Sequence, residues 1–491
     1  MLPESIDRTP FGVTSWASDS SGFVYHRLKA GVPLDSLAKY MDSAAWYHRL
    51  RTDPGADIRL LAKGSSPVVA MTDVDSRFVQ TEPGSSFAIG AVVSGVQNES
   101  ALFISPVDAV IAGRPEWRPV CSASDKVTSG AGYRDEIYLL THKDAPRFKV
   151  IKVSAAAPSV ANARVVVPES ASVIRDITAA KDGLYIHQLD AGLGGVRRLG
   201  WDGAITTIAL PHPGTVSELY ADTLHDGAWF LLAGWVRPPV LYYVNLNGVV
   251  TQTDIAPAPP IDVSPSVSFE TFARAADGVQ IPLSILYRKG LKRDGAAPLI
   301  LNADGSYGIT QEPSFAARWL AFLDLGGVYA VAHVRGGGEL GGDWHMAGYK
   351  ATKFNTWSDM IASAEHLIAE GYTSKAKLGI IGGSAGGITV GRFMTERPDL
   401  AAVVFDQVGS SNQLRAEFSP NGPANIPEFG SVLSETGFKA LYAMDAYQHV
   451  KDGVAYPSVF LTTGLNDPRV ASWEPTKMAA ASRRRHHRRT R

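Results

Sequence analysis

The stretch Gly382-Gly383-Ser384-Ala385-Gly386-Gly387 decides the fold of the second half of the chain. It follows the apolar run Leu378-Gly-Ile-Ile directly and precedes a segment of helical pattern, residues 388–395. G-x-S-x-G between a strand and a helix is typical of a sharp turn that holds a serine hydroxyl above a sheet edge. We therefore predict that Ser384 is a nucleophile and that the Ala385 N–H faces an oxyanion. A phosphate-binding loop is disfavoured, because neither a P-loop lysine nor G-x-G-x-x-G is present.

Apolar strands alternate with helices around this motif. A parallel, doubly wound sheet is predicted, since strands buried on both faces read as near-continuous apolar runs. Five such runs begin at Pro298, Gly327, Lys377, Ala401 and Pro457. Residues 357–370 have the pattern of an amphipathic helix, with Thr356 and Asp359 as a predicted capping pair.

The first half has a different pattern, with short strands broken by Gly, Asp, Asn and Pro. Similar strand openings recur from Phe87 to Tyr138, Tyr185 and Trp229, in steps of 51, 47 and 44 residues. A repeat of roughly 40–50 residues with several strands predicts a β-propeller over residues 1–255, and the alternative is a sandwich or irregular β domain. The Pro-rich residues 256–260 cannot continue a strand ladder, so a linker is predicted at 256–264.

Composition excludes several classes of partner. The chain has 47 basic and 48 acidic residues, a net charge of −1, which disfavours nucleic acid or membrane partners. The single cysteine, Cys121, excludes an intramolecular disulfide framework and predicts a small buried side chain. Neither a signal peptide nor an apolar run of ~18 residues is readable, which favours a cytoplasmic protein. We expect the arginine-rich tail, 481–491, to be disordered rather than a nucleic-acid or membrane patch.

A serine nucleophile needs a base, and in this fold the partners follow in the order Ser, acid, His. Asp467 comes soon after the run Val459-Phe-Leu-Thr-Thr and is the predicted acid, although an Asp before Pro is also typical of a turn. Only His486 and His487 follow it, and we expect neither to be the base. No catalytic histidine is therefore found, and the upstream His333 and His345 are expected to be structural.

Several motifs together resemble the prolyl oligopeptidase family of serine peptidases. They are Arg335-Gly-Gly-Gly-Glu339, Trp344-His345, Gly383-Ser-Ala-Gly-Gly387, Arg397-Pro-Asp-Leu400, Gln407-Val-Gly409 and Asp467-Pro-Arg-Val470, with Tyr47-His48-Arg49 in the first half. The resemblance implies a β-propeller capping an α/β-hydrolase domain at 265–480. It also implies that Ser384 is the nucleophile and Asp467 the orienting acid, that Arg469 grips a substrate carbonyl, and that Val470 lines the S1 pocket.

The chain also departs from the family pattern. The family's oxyanion tyrosine aligns with Asp304, where a carboxylate would repel an oxyanion, and Tyr307 aligns with an aromatic of the S1 pocket. The tryptophan that stacks on a substrate proline aligns with Asn425. About five propeller blades are predicted instead of the family's seven. The pattern thus predicts a chain truncated at both ends, the second before the family's histidine.

We accordingly expect a serine peptidase that hydrolyses short peptides through an acyl-enzyme and is crippled by the absence of its histidine. The alternatives are an esterase of the same fold, or a catalytically inactive binding protein or damaged gene product. No sequence feature supports a metal or organic cofactor, and none decides the oligomeric state.

Overall fold

The computed structural model describes residues 5–9, 14–17, 19–33, 36–255 and 261–486. Within these ranges, five four-stranded antiparallel sheets are followed by one seven-stranded mixed sheet. The predicted fold class, a β-propeller domain before an α/β-hydrolase domain, is confirmed.

Each propeller sheet is built from four strands that are consecutive along the chain. The strands are β1 (Thr14–Trp16), β2 (Gly22–Arg27), β3 (Ala44–Arg49), β4 (Ile58–Leu61), β5 (Asp75–Thr81), β6 (Phe87–Ser94), β7 (Ser100–Pro106), β8 (Arg118–Cys121), β9 (Val127–Tyr133), β10 (Glu136–Thr141), β11 (Lys149–Ser154), β12 (Arg164–Val167), β13 (Val173–Ala180), β14 (Gly183–Asp190), β15 (Leu193–Gly200), β16 (Ile205–Ile208), β17 (Thr215–Ala221), β18 (Ala228–Gly234), β19 (Arg237–Val244) and β20 (Val250–Gln252).

The repeated strand openings lie in β6, β10, β14 and β18, the second strand of four successive sheets. These strands are apolar because neighbouring sheets cover both of their faces. Leu139 of β10, for example, packs in one cluster with Leu102 and Ile104 of the preceding sheet. The period of the sequence is therefore the period of the blades.

The hydrolase sheet has the order β21-β22-β24-β23-β25-β26-β27. Its strands are β21 (Ser266–Arg274), β22 (Gln280–Arg288), β23 (Leu299–Asn302), β24 (Val328–Ala332), β25 (Leu378–Gly383), β26 (Val403–Gln407) and β27 (Ser458–Thr462). The pairs β21/β22 and β22/β24 are antiparallel and the other four are parallel. The five predicted runs are β23 to β27, whereas sequence analysis did not identify β21 and β22.

Helices cover both faces of this sheet. The helices are α1 (Val107–Ile111) in the propeller half, then α2 (Ala317–Asp324), α3 (Gly342–Met346), α4 (Phe354–Ala369), α5 (Gly386–Glu396), α6 (Gln413–Ala416), α7 (Ile426–Phe429), α8 (Glu435–Met444), α9 (Ala446–His449) and α10 (Trp473–His486). Helix α2 packs on Leu286 and Val331, while α4 and α5 pack on the opposite apolar cluster around Leu301 and Ile380. This is the doubly wound arrangement that the alternation predicted.

Two predictions about helix ends were wrong. Thr356 and Asp359 lie inside α4 and do not cap it, because both side chains bind Arg335 instead. The tail was predicted to be disordered from 481, but α10 continues to His486. Residues 487–491 lie outside the described residues.

The predicted linker falls partly on residues 256–260, which lie outside the described residues. The two domains on either side also touch directly: Thr215 Oγ1 donates a hydrogen bond to the Pro313 carbonyl (2.7 Å), and the Gly342 N–H donates to Pro146 (2.7 Å). Because proline lacks the N–H that a strand ladder needs, the Pro-rich sequence at 256–260 still predicts the site where a protease gains access most easily.

We therefore expect limited proteolysis to cut first within 256–264 or within 28–45, and to leave two separately stable fragments. Segment 355–400 should resist cleavage, because its helices and strand lie in the hydrolase core. Mass spectrometry of the fragments checks this expectation. A stable fragment that ends between 355 and 400 would contradict the proposed boundary.

Candidate active site

Ser384 stands at a strained turn between β25 and α5. Its φ angle is +53°, in the left-handed region that residues other than glycine rarely adopt. The turn is held on both sides: the Ser384 N–H donates to the Gln407 carbonyl (2.9 Å), and the Ser384 carbonyl accepts from the N–H groups of Gly387 (3.0 Å) and Ser410 (2.9 Å). Because these hydrogen bonds fix the backbone, the position of the serine is set before any ligand arrives.

The glycines around Ser384 are required by close packing. A Cβ atom on Gly387 would lie 2.4 Å from Gly409 Cα, and one on Gly382 would lie 2.6 Å from the Gly386 carbonyl oxygen. Both distances are below van der Waals contact, so any side chain there would displace the turn. This is the strand-turn-helix geometry that the motif predicts.

Ser384 and Ala385 line a narrow cavity together with four other residues singled out from the sequence. These are Tyr307, Asn425, Arg469 and Val470. Among the described residues no acceptor binds the Ala385 N–H, which precedes the first turn of α5. A free N–H beside a fixed serine is the arrangement that stabilises an oxyanion.

Tyr307 and Asn425 bind each other across this cavity. The Tyr307 hydroxyl donates to Asn425 Oδ1 (2.9 Å), and the tyrosine ring packs edge-on against Phe429 at 5.4 Å. The Tyr307 N–H donates to Glu428 Oε1 (2.8 Å). Burial raises the pKa of Tyr307, so its phenol stays protonated.

Asp304 does not line the cavity, although the resemblance placed it at the oxyanion position. Its Oδ1 accepts the Ser306 N–H (3.1 Å), and its backbone carbonyl accepts the Thr389 hydroxyl (2.7 Å). Burial raises the pKa of Asp304 to about 6, although the positive charge of Lys353 lowers it in part. The other carboxyl oxygen lies near the turn that carries Ser384, because a Cβ atom on Gly386 would be 3.5 Å from Asp304 Oδ2. The repulsion of an oxyanion by Asp304 therefore stays a prediction.

Asp467 lies in the loop after β27, the second strand along from the strand that carries Ser384. Its Oδ1 accepts the N–H groups of Arg469 (2.8 Å) and Val470 (2.9 Å). It is not among the residues that line the cavity. These contacts are those of a turn residue, the alternative that the sequence left open, and they also position Arg469 and Val470.

Among the described residues no histidine lines the Ser384 cavity. His333 is buried between Ser284 Oγ (2.8 Å from Nε2) and Glu339 Oε1 (3.4 Å from Nδ1). His345 Nε2 lies 2.9 Å from Glu428 Oε2. Both have the structural contacts expected of them, whereas the His486 side chain and all of His487 lie outside what the structure describes.

Among the cavity residues that sequence analysis missed is a buried acid, Glu474, in the first turn of α10. It is 2% exposed, and its Oε2 accepts the Ser410 hydroxyl (2.9 Å) and the Asn412 N–H (3.4 Å). Burial raises its pKa to about 7. Its burial depends on the loop after β26, more than 60 positions earlier, so no local pattern could have revealed it.

A second, larger cavity of about 860 Å³ lies between the propeller and the hydrolase domain. His142 and Arg175 line it from the propeller, and Glu312 and His345 line it from the hydrolase domain. It is large enough to hold a short peptide.

Three further features bear on the predictions from composition. Cys121 is buried, as predicted, and burial raises the pKa of its thiol to about 12. Within the described ranges, no three His, Cys, Asp or Glu side chains are grouped so that they could hold a metal ion. No described helix is both long and apolar enough to cross a membrane.

A propeller domain followed by a doubly wound sheet, with a serine on a strained strand-to-helix turn, defines the class of propeller-capped α/β-hydrolases. The family model for the N-terminal β-propeller domain of prolyl oligopeptidases matches residues 1–251, and that for the prolyl oligopeptidase family matches residues 313–490. The chain belongs to the prolyl oligopeptidase family.

Individual relatives agree with this assignment. The chain is 28% identical to a prolyl endopeptidase of Elizabethkingia meningoseptica over 479 residues, which cover 96% of this chain and 65% of that protein. A solved structure from a study of two prolyl endopeptidases has a TM-score of 0.86 at 28% identity and covers 98% of this chain and 69% of its own. Prolyl oligopeptidase B of Galerina marginata, solved with a 35-residue substrate, has a TM-score of 0.87 at 22% identity, covering 99% and 67%. The chain spans about two thirds of the length of these relatives.

Proposed function

We propose that this chain carries the site of a serine peptidase of the prolyl oligopeptidase type, which acts on short peptides through an acyl-enzyme at Ser384. The observation that carries the proposal is the strained turn that fixes Ser384 at a cavity shared with Arg469 and Val470. Family membership and the prolyl endopeptidase relatives support the choice of peptides over other acyl substrates.

In the proposed reaction Ser384 Oγ attacks the carbonyl carbon of the scissile bond and its proton passes to solvent, while the carbonyl oxygen becomes negative and accepts a hydrogen bond from the Ala385 N–H. The bond to the leaving amine breaks, and the amine takes a proton from solvent. Water then attacks the ester carbon, which releases the peptide acid and restores the Ser384 hydroxyl. Arg469 would hold a substrate carbonyl next to the scissile bond. The cavity between the domains would limit substrates to short peptides, since a folded protein does not fit in about 860 Å³.

We further propose that proton transfer from Ser384 limits the rate at which this chain hydrolyses peptides. The serine proton has no imidazole to accept it among the described residues that line the cavity. Selectivity for proline is expected to be weak as well, because an aromatic ring is needed at this place to stack on a substrate proline. Asn425 presents an amide there instead, and that amide already accepts a hydrogen bond from Tyr307. The same histidine-free lining favours a second candidate, a peptide-binding protein without turnover.

A fluorophosphonate probe tests the proposal. We expect slow labelling of Ser384 over hours, slowed further by short proline-containing peptides, and no labelling of Ser384→Ala. Ser458→Ala, at an exposed serine of β27 outside the cavity, is the matched control and should be labelled like the parent chain. Absence of labelling after prolonged exposure would favour the binding protein, and competition by short acyl esters but not by peptides would favour an esterase.

A further inference from the structure

A buried acid, Asp406, lies against the turn that holds Ser384. It stands near the end of β26, where it pairs with Gly382 of β25 and Leu461 of β27. Asp406 is 3% exposed. A Cβ atom on Gly409 would lie 1.6 Å from Asp406 Oδ1, so the carboxyl occupies the space directly against this turn. The proposed reaction does not use Asp406, and sequence analysis did not identify it.

The turn at 407–411 holds the nucleophile through its backbone. The Gln407 carbonyl accepts the Ser384 N–H (2.9 Å), and the Ser410 N–H donates to the Ser384 carbonyl (2.9 Å). The turn is itself strained, because Val408 has a φ angle of +47°, which a β-branched residue rarely adopts. Any change in this turn is therefore passed directly to the backbone of Ser384.

The carboxyl of Asp406 has few partners for a buried acid. Its Oδ2 accepts the Ser411 hydroxyl (3.1 Å), and within the described part of the chain its Oδ1 has no hydrogen-bond partner. Burial raises the pKa of Asp406 to about 7, and the Ser411 hydroxyl opposes that rise. A buried charge with so few donors is costly, so the fold favours the neutral form of Asp406.

Other charged groups lie around the same turn. Glu474 of α10 binds it, and the pKa of Glu474, raised to about 7 first by burial, is raised further by Asp406. Asp445 and Lys477 both bind the Asn412 side chain, just beyond the end of the turn. Glu474 is therefore the group whose titration has to be separated from that of Asp406.

We infer that Asp406 is a positioning residue for Ser384 and that its proton controls how firmly the turn 407–411 holds the nucleophile. The inference rests on the proposed function for the role of Ser384. With its proton, Asp406 is a neutral group packed against Gly409. Without the proton, the carboxylate has a donor at Oδ2 but none at Oδ1 among the described residues. Opening of the turn, which lets water reach the charge, then becomes easier.

The effect on the turn has a definite sign and pH range. When the turn is open, the pKa of Asp406 returns to the value of an exposed aspartate, about 4. When the turn is closed, burial holds that pKa at about 7. Between these two values the open form binds fewer protons than the closed form. Opening is therefore favoured as the pH rises from about 4 to about 7, and it changes no further at higher pH.

Hydrogen exchange at single-residue resolution measures this opening without requiring turnover. The amides to follow are those of Ser384 and Ser410, whose N–H groups form the two hydrogen bonds between the turn and the nucleophile. The readout is the protection factor, the ratio of the intrinsic to the measured exchange rate, which removes the ordinary pH dependence of exchange. We expect the protection of both amides to fall by on the order of 10-fold or more between pH 5 and pH 7, and to be level from pH 8 upward.

Variants assign the effect to Asp406. Asp406→Asn keeps the shape and the acceptor for Ser411 but never ionises, so the protection of both amides should no longer depend on pH. Ser411→Ala removes the donor that lowers the pKa of Asp406, and the fall in protection should then continue above pH 7. Glu474→Gln should leave the fall in place. Glu82→Gln, the matched control in the propeller, removes another acid whose pKa burial raises to about 7 and should also leave the fall in place.

A fall in protection that persists in Asp406→Asn, or that disappears in Glu474→Gln, would overturn the inference. Protection that does not change with pH in the parent chain would overturn it as well. Failure of the proposed peptidase function would be visible separately, as absent labelling of Ser384 by the fluorophosphonate while the protection of its amide changes with pH as expected.

Discussion

A version of this chain in which the residues after Met478 are replaced by an ending that brings a histidine next to Asp467 is expected to hydrolyse chromogenic peptides at least ~10³-fold faster than the chain as it stands. A serine hydroxyl without an imidazole beside it keeps the proton affinity of an ordinary alcohol and attacks poorly at neutral pH, and among the described residues no histidine lines the Ser384 cavity. The parts that do not depend on the histidine, the fixed serine and the free Ala385 N–H, are already in place. The gain should therefore lie mainly in kcat.

Asp467 is suited to orient such a histidine. Its Oδ1 is occupied by the Arg469 and Val470 N–H groups, and within the described residues its Oδ2 has no hydrogen-bond partner. Ser384→Ala should abolish the gain, and so should replacement of the introduced histidine by glutamine. Robust turnover by the unmodified chain that disappears in Ser384→Ala would contradict the prediction, because it would require a base other than the introduced histidine.

The features predicted correctly from the sequence are those encoded locally. The elbow around Ser384 is readable because glycines, serine and the flanking apolar strand stand within ten residues. Strands β23 to β27 are readable because each contains a run of apolar residues and is followed by a helix. Strands β21 and β22 were missed because they form an antiparallel hairpin with no helix between them, and the first is only partly buried.

The features missed depend on contacts between distant residues. The family resemblance assigns Asp304 to the oxyanion position but does not reveal that its carboxyl accepts the Ser306 N–H. Glu474 is ordinary in sequence, and only the loop that carries Ser410 makes it a buried acid. The spacing of Asp359 predicts a capping residue, whereas its partner is Arg335, 24 positions earlier.

That pair supports the largest expected effect on stability. Arg335 binds Asp359 with two parallel hydrogen bonds, from Nε (2.9 Å) and Nη2 (2.6 Å), and its Nη1 reaches Asp277 (2.6 Å). Asp359 is completely buried in α4. We expect Arg335→Met to destabilise α4 by about 3–5 kcal/mol, because it leaves a buried charge without its partner. Hydrogen exchange of the α4 amides measures this locally, even if the two domains unfold separately.

Three comparisons separate the loss of charge pairing from a loss of packing. Arg397→Met breaks more exposed ion pairs, with Glu365 and Asp399, and should cost no more than about 1 kcal/mol. Arg335→Met combined with Asp359→Leu should recover most of the loss, because no buried charge remains.

Burial already raises the pKa of Asp359 and Arg335 opposes that rise, so without Arg335 the pKa of Asp359 should rise further. A carboxyl whose pKa is higher in the folded than in the unfolded state destabilises the fold only at pH values where it ionises in the unfolded chain. The cost of Arg335→Met should therefore shrink as the pH falls from 8 to 5, and a cost independent of pH would show that the arginine stabilises α4 by packing alone.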